Sequence, residues 1–116
     1  MLYVPFALNG IKSSINVTWA TGQADQDATW NDGFPSITMI PEGSGGKAPN
    51  GQDFNGIFYA LSLDVVNRQK GQRPMFDATY ATNIGGYAKG SIVLSTSLNK
   101  EYISTVDNNL TDPDSS

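Results

Sequence analysis

The run Pro49-Asn50-Gly51-Gln52-Asp53-Phe54-Asn55-Gly56-Ile57-Phe58-Tyr59-Ala60-Leu61-Ser62-Leu63-Asp64-Val65-Val66-Asn67-Arg68-Gln69-Lys70-Gly71 is the one segment in which a helical period and both ends agree. Asn50 is placed to cap a first turn, and Asp53 puts a carboxylate at the positive end of the dipole. Lys70 and Gly71 suit the other end, where a cation and a left-handed residue are favoured. At roughly 100° per residue, Phe54, Ile57, Phe58, Leu61 and Val65 form one apolar stripe, expected to face a core. A second stripe, Tyr59, Leu63 and Val66, lies roughly 140° around. A surface helix needs only one stripe. Two imply burial on two sides, either within one domain or against a second copy, which makes Tyr59, Leu63 and Val66 the candidate subunit interface.

Upstream, residues 1–19 read as extended. Leu2, Val4 and Phe6 alternate with Tyr3 and Pro5, Asn9-Gly10 signals a turn, and Ile15, Val17 and Thr18 are β-branched, so a short strand pair is expected. Pro5 restricts the first strand to an edge or an arm. Residues 21–49 hold no sustained period. Trp30, Phe34, Ile37, Met39 and Ile40 stand among Gly33, Pro35, Pro41, Gly43, Gly45 and Gly46, which break helices and ladders. A loop of this length serves function or docks on another surface. Trp30 and Phe34 are its candidate docking residues, or else they fill a thin core.

Downstream, Asp77 is placed to cap a short helix through Asn83, with Met75, Phe76, Tyr80 and Ile84 inward and Gly85-Gly86 ending it. Residues 91–96 and 101–106 pattern as a hairpin, and residues 107–116 are polar and expected to fray. The expectation is therefore one α+β domain. An extended arm and docking loop span 1–49, a helical core with one long and one short helix spans 50–84, and a β-hairpin with a polar tail spans 85–116.

The 116 residues contain neither cysteine nor histidine, which removes thiol nucleophiles, the usual soft-metal ligands and every Ser-His or Cys-His arrangement. The net charge is −4, from 7 basic and 11 acidic residues, with no basic stripe for a phosphate backbone. No apolar run approaches the roughly 18 residues that cross a bilayer, and the N-terminus lacks the order of a secretion signal. A soluble chain made in a cytoplasm, without membrane insertion or nucleic-acid partner, is expected. Asp25, Asp27, Asp32, Asp53, Asp107, Asp112 and Asp114 sit among turn residues, where aspartate bonds backbone more often than it catalyses. Asp25 to Thr29 lacks the glycine and glutamate of a calcium loop, and Gly43-Ser44-Gly45-Gly46-Lys47 misses phosphate-loop spacing. No enzyme, cofactor or metal site is expected.

The stretch from Gly45 to Leu61 resembles the N-terminal region of tailed-phage and prophage tail fibre proteins. Pro5-Phe6-Ala7, Trp30-Asn31-Asp32-Gly33-Phe34-Pro35, Phe76-Asp77-Ala78-Thr79-Tyr80 and Ile84-Gly85-Gly86-Tyr87-Ala88-Lys89-Gly90 are similar to the same family, in the same order, so the resemblance covers almost the whole chain. It departs at Ala88, where the family commonly has proline. The resemblance implies a virion component of the phage tail: a homotrimer that attaches a fibre to the tail tip or baseplate, continues into a downstream shaft and serves host adsorption. The segment from Gly86 to Pro113 is also similar to small β-modules of chitin-binding type. That similarity implies an alternative, a glycan-binding module with Tyr87 and Tyr102 as sugar platforms; packing within the hairpin is the other role open to them.

Overall fold

In the computed structural model, which describes residues 1–115, the protein is a mixed α+β chain. It forms two compact units, Met1–Lys70 and a second from Gly71 onward. The two helices expected together over residues 50–84 therefore belong to different units.

The first unit is built on α1, Gly51–Gln69. Its N-cap position is Asn50, as the sequence implies, but the Asn50 side chain does not cap. It donates instead to Asp27 Oδ1 at 2.9 Å. A bond to a carboxylate is stronger than one to a backbone amide, so a residue remote in sequence wins the side chain. Asp53, 3% exposed, accepts the Ala28 N–H at 3.0 Å. The two side chains fasten the loop around Ala28 to the helix N-terminus. At the other end Lys70 donates its N–H to Val66 O, and Gly71 takes φ +88°.

No strand forms within residues 1–19. The arm lies along α1 and bonds it at several points, while Asn16 and Val17 accept from the Trp30 and Asn31 N–H groups in a single bridge too short to be a strand. The Phe6 N–H donates to Ser62 Oγ at 2.8 Å, Asn55 Nδ2 donates to Ile11 O at 2.9 Å, and the Ser13 N–H donates to Gln52 O at 2.9 Å. Gly56 makes this approach possible, because a Cβ there would collide with the Ser13 carbonyl. Lys12 closes the turn after Ala7 by donating to the carbonyls of Ala7, Leu8 and Gly10, with its ammonium 4.5 Å from the Tyr59 ring centre. The long connection contains two single 3-10 turns, Ser36–Met39 and Glu42–Ser44, and is otherwise irregular, as its glycines and prolines dictate.

The second unit holds α2, Ala78–Ile84, and the antiparallel pair β1, Ile92–Leu94, and β2, Glu101–Ile103. Asp77 caps α2 by accepting the Tyr80 N–H at 2.9 Å, and Gly85 ends it at φ +80°. Ala81 is the buried residue of α2, whereas Met75, Tyr80 and Ile84, expected inward, are about half exposed. The strands pair Ile92 with Ile103, Val93 with Tyr102 and Leu94 with Glu101. They are half the expected length: past Ile92 and Ile103 the pairing continues only irregularly, with Ser104 bonding both Ser91 and Gly90. Among the described residues the polar tail is tied to the hairpin. Asp114 accepts from the Thr96 N–H at 2.9 Å and from Tyr102 Oη at 3.0 Å, and Pro113–Ser115 is a 3-10 turn.

Candidate functional site: an exposed aromatic row on the long helix

The two stripes of α1 are the reverse of the sequence expectation. Asp53, Gly56 and Val66 are buried, with Tyr59 and Leu63 half-buried on the same side. Of the candidate subunit interface Tyr59, Leu63 and Val66, Val66 is 2% exposed within its own chain and so faces inward, while Tyr59 and Leu63 beside it stay partly accessible. The physical cause is Gly56: backbone comes closest where there is no side chain, so the arm settles on the glycine side. The bulkier stripe, apart from the half-buried Ile57, is left outward. Phe54, Phe58, Leu61 and Val65 are 38%, 45%, 56% and 41% exposed, where burial of the side chains as a core face would have brought them near zero.

Four phenylalanine rings form a row along this outward side. Phe6 of the arm meets Phe58 edge-on at 5.4 Å and 81°. Phe58 lies 6.1 Å from Phe54, and Phe54 lies 4.6 Å from Phe34 of the long connection. These are ordinary spacings for attractive aromatic pairs. Among the described residues the row continues down the helix into Leu61 and Val65, and the only formal charge beside it on the helix from Phe54 to Val65 is Asp64, paired with Arg68 at 2.9 Å. Phe34, a candidate docking residue, thus belongs to the row. Trp30 does not: 45% exposed, it borders a cleft of about 340 Å³ with Lys12, Ile15 and Tyr59 on the arm side of the unit.

In the second unit Tyr87 and Tyr102 line one cleft with Phe76, Ser104 and Asn109. Its volume of about 50 Å³ holds a water or two. A sugar would have to rest on its rim. Tyr87 is engaged in packing, 5.4 Å from Phe76 and 6.0 Å from Tyr80, and its hydroxyl accepts from the Asp77 N–H. The Tyr102 hydroxyl is held above the usual tyrosine range, first by its hydrogen bond to Asp114. Asp114 is held below the usual carboxylate range, first by the Thr96 amide and then by Tyr102 and Lys100.

No protein-family model and no curated protein matches the chain. The carboxylates are engaged structurally instead of converging on a cleft: Asp27 with Ala24 and Asn50, Asp53 with Ala28, Asp77 with Tyr80, Asp107 with Lys89. Among the described residues no three histidine, cysteine, aspartate or glutamate side chains gather as a metal site, and no helix is long and apolar enough to cross a membrane. What the sequence reading missed is Phe6 and the outward face. The signals were present in the alternation of Leu2, Val4 and Phe6 and in the isolated helical Gly56, which marks a close approach.

Proposed function

We propose that the protein is a structural component of a phage tail fibre, its N-terminal attachment region, which assembles as a homotrimer and docks onto the tail tip or baseplate for host adsorption. The observation that carries the reading is the balance between core and surface. The buried hydrophobic residues among those described are Ala28, Val66, Ala81 and Val93, while two dozen large apolar side chains are exposed, Phe6, Phe54 and Phe58 of the aromatic row among them. A chain that leaves so much apolar surface to water is suited to being covered by other protein. The resemblance along the chain supplies the kind of assembly. Gold-labelled antibody against the chain should decorate one end of the tails of purified virions. Virions that contain the protein nowhere sink the reading.

A second reading, a glycan-binding module, is favoured by Tyr87 and Tyr102 bordering the same cleft. Titration with chitin oligosaccharides separates the two. Saturable binding lost in both Tyr87→Ala and Tyr102→Ala supports the module, and no binding to the intact chain removes it.

A further inference from the structure

We infer that Asn9-Gly10 is a site of spontaneous covalent modification, at which the asparagine side chain deamidates and the turn that grips Lys12 is loosened. The inference is independent of the assembly proposed above.

Three asparagines in the chain are followed by glycine: Asn9, Asn50 and Asn55. In such a pair the glycine nitrogen attacks the asparagine Cγ, since the residue that carries it has no Cβ to block the approach. The nitrogen gives its proton to solvent, the new C–N bond closes a succinimide ring, and the Cγ–Nδ2 bond breaks to release ammonia. Water then opens either carbonyl of the ring. One product is aspartate and the other is isoaspartate, in which the main chain runs through the former side chain. The net change is one water gained and one ammonia lost, a mass increase of about 1 Da.

The dipeptide is the same at all three places, so the fold decides which of them reacts. Attack needs a free side-chain amide and a backbone able to swing the next nitrogen toward it. Asn55 lies inside α1, where the Gly56 N–H belongs to the helix ladder, and its Nδ2 donates to Ile11 O at 2.9 Å. Asn50 is held on both sides: its Nδ2 donates to Asp27 Oδ1 at 2.9 Å and its carbonyl accepts the Asp53 N–H at 3.0 Å. Asn9 and Gly10 are exposed, in the turn that follows Ala7. The hydrogen bonds of that turn run from Lys12 Nζ to the carbonyls of Ala7, Leu8 and Gly10 and from the Gly10 N–H to Ala7 O at 3.1 Å, and none of them engages the Asn9 side chain. Only the Gly10 bond has to open. An exposed turn bond opens far more readily than the interior of a helix. This turn also holds Ala7 at φ 55°, which a residue with a Cβ adopts at a cost that opening relieves.

The reaction alters the arm. Isoaspartate adds a main-chain carbon between residues 9 and 10, inside the turn that the Gly10 N–H closes on Ala7 O. The carbonyls on either side of Asn9, those of Leu8 and Gly10, are two of the three that hold the Lys12 ammonium. Lengthening the chain between them takes them off their common target, and Lys12 is released from the turn.

The intact chain, held at mildly alkaline pH and sampled over time by peptide mass mapping, tests this directly. Residue 9 should gain its mass about tenfold faster than residues 50 and 55. In guanidinium chloride, where the fold is gone, the three sites should convert at similar rates. Labelling with an isoaspartyl methyltransferase should fall on the peptide that contains residue 9 and be absent there in Asn9→Gln. Trypsin should cut after Lys12 sooner in the aged chain than in the fresh one. If Asn50 or Asn55 keeps pace with Asn9 in the intact chain, or if Asn9 leads by the same margin in denaturant, the fold does not select the site and the inference fails. Equal cutting after Lys12 in aged and fresh chains overturns the loosened turn.

Discussion

Gly56 shows how one missing side chain sets the orientation of the longest element. In an isolated helix, replacing a glycine with alanine gains about 1 kcal/mol of propensity. Here the added Cβ would meet the Ser13 carbonyl, a backbone atom whose residue also bonds Gln52. Overpacking against an atom that cannot rotate away costs about 1–3 kcal/mol, so the collision outweighs the propensity. Gly56→Ala should lower stability by about 1 kcal/mol in urea unfolding, and a stabilised variant would show that the arm does not rest there. Asp53 makes the companion case. Removing its carboxylate in Asp53→Ala leaves the Ala28 N–H without a partner in a buried place, an effect of about 1–3 kcal/mol read by the same unfolding curves. Residue roles of this kind were only partly legible in the sequence. The Asp77 cap was, because the donor lies three residues away. The Asn50 side chain was not, because its partner Asp27 is 23 residues back in the chain.

At the scale of elements, the sequence located both helices and the hairpin, since their periods and end signals are local. It failed where an element's surroundings decide. The stripes of α1 were assigned to the wrong sides because periodicity counts apolar faces without saying which one the chain covers. The N-terminal segment was read as strands because local alternation cannot reveal that its hydrogen-bond partners are Ser62, Asn55 and the Gln52 carbonyl of the helix and Trp30 and Asn31 of the connection. The tail was read as frayed because its anchor, Asp114, is one carboxylate among several. That anchor titrates. Asp114 has a lowered folded pKa, so it contributes stability above the ordinary value near 4 and loses it as the pH falls through the lower folded value. Tyr102 has a raised folded pKa, so its contribution is complete below about 10 and is lost as the pH rises through the higher folded value. The tail should therefore release at both extremes and hold across the neutral range. The Thr96 amide resonance, followed by NMR, should shift in acid with a midpoint below that of an ordinary aspartate. In Asp114→Asn that acid transition should vanish, and an unchanged transition would detach the amide from this carboxylate.

For the whole molecule, what matters is that the core is divided. Ala28 and Val66 are buried in the first unit, Ala81 and Val93 in the second, and a small core in a small unit supplies only a few kcal/mol without staples. There are no disulfides to add rigidity. Where compact units divide, the connecting backbone is the segment most easily opened. That place is Lys70-Gly71, both exposed, where the helix has ended. Trypsin cleaves after lysine and arginine, and the other basic residues of the chain are less available. Lys12 is held by three carbonyls and Lys47 by Asp25. Arg68 lies inside the last turn of α1, and Arg73 precedes Pro74, which blocks cleavage. The Lys89 N–H is bonded to Asp107, and the Lys100 carbonyl accepts from Ser95 at the hairpin turn. Brief digestion should therefore cut first after Lys70 and release two fragments, residues 1–70 and 71–116, identified by mass. A first cut after Lys47 would instead make the long connection the weakest point of the chain. The division at Gly71 would then not be the place where its backbone opens.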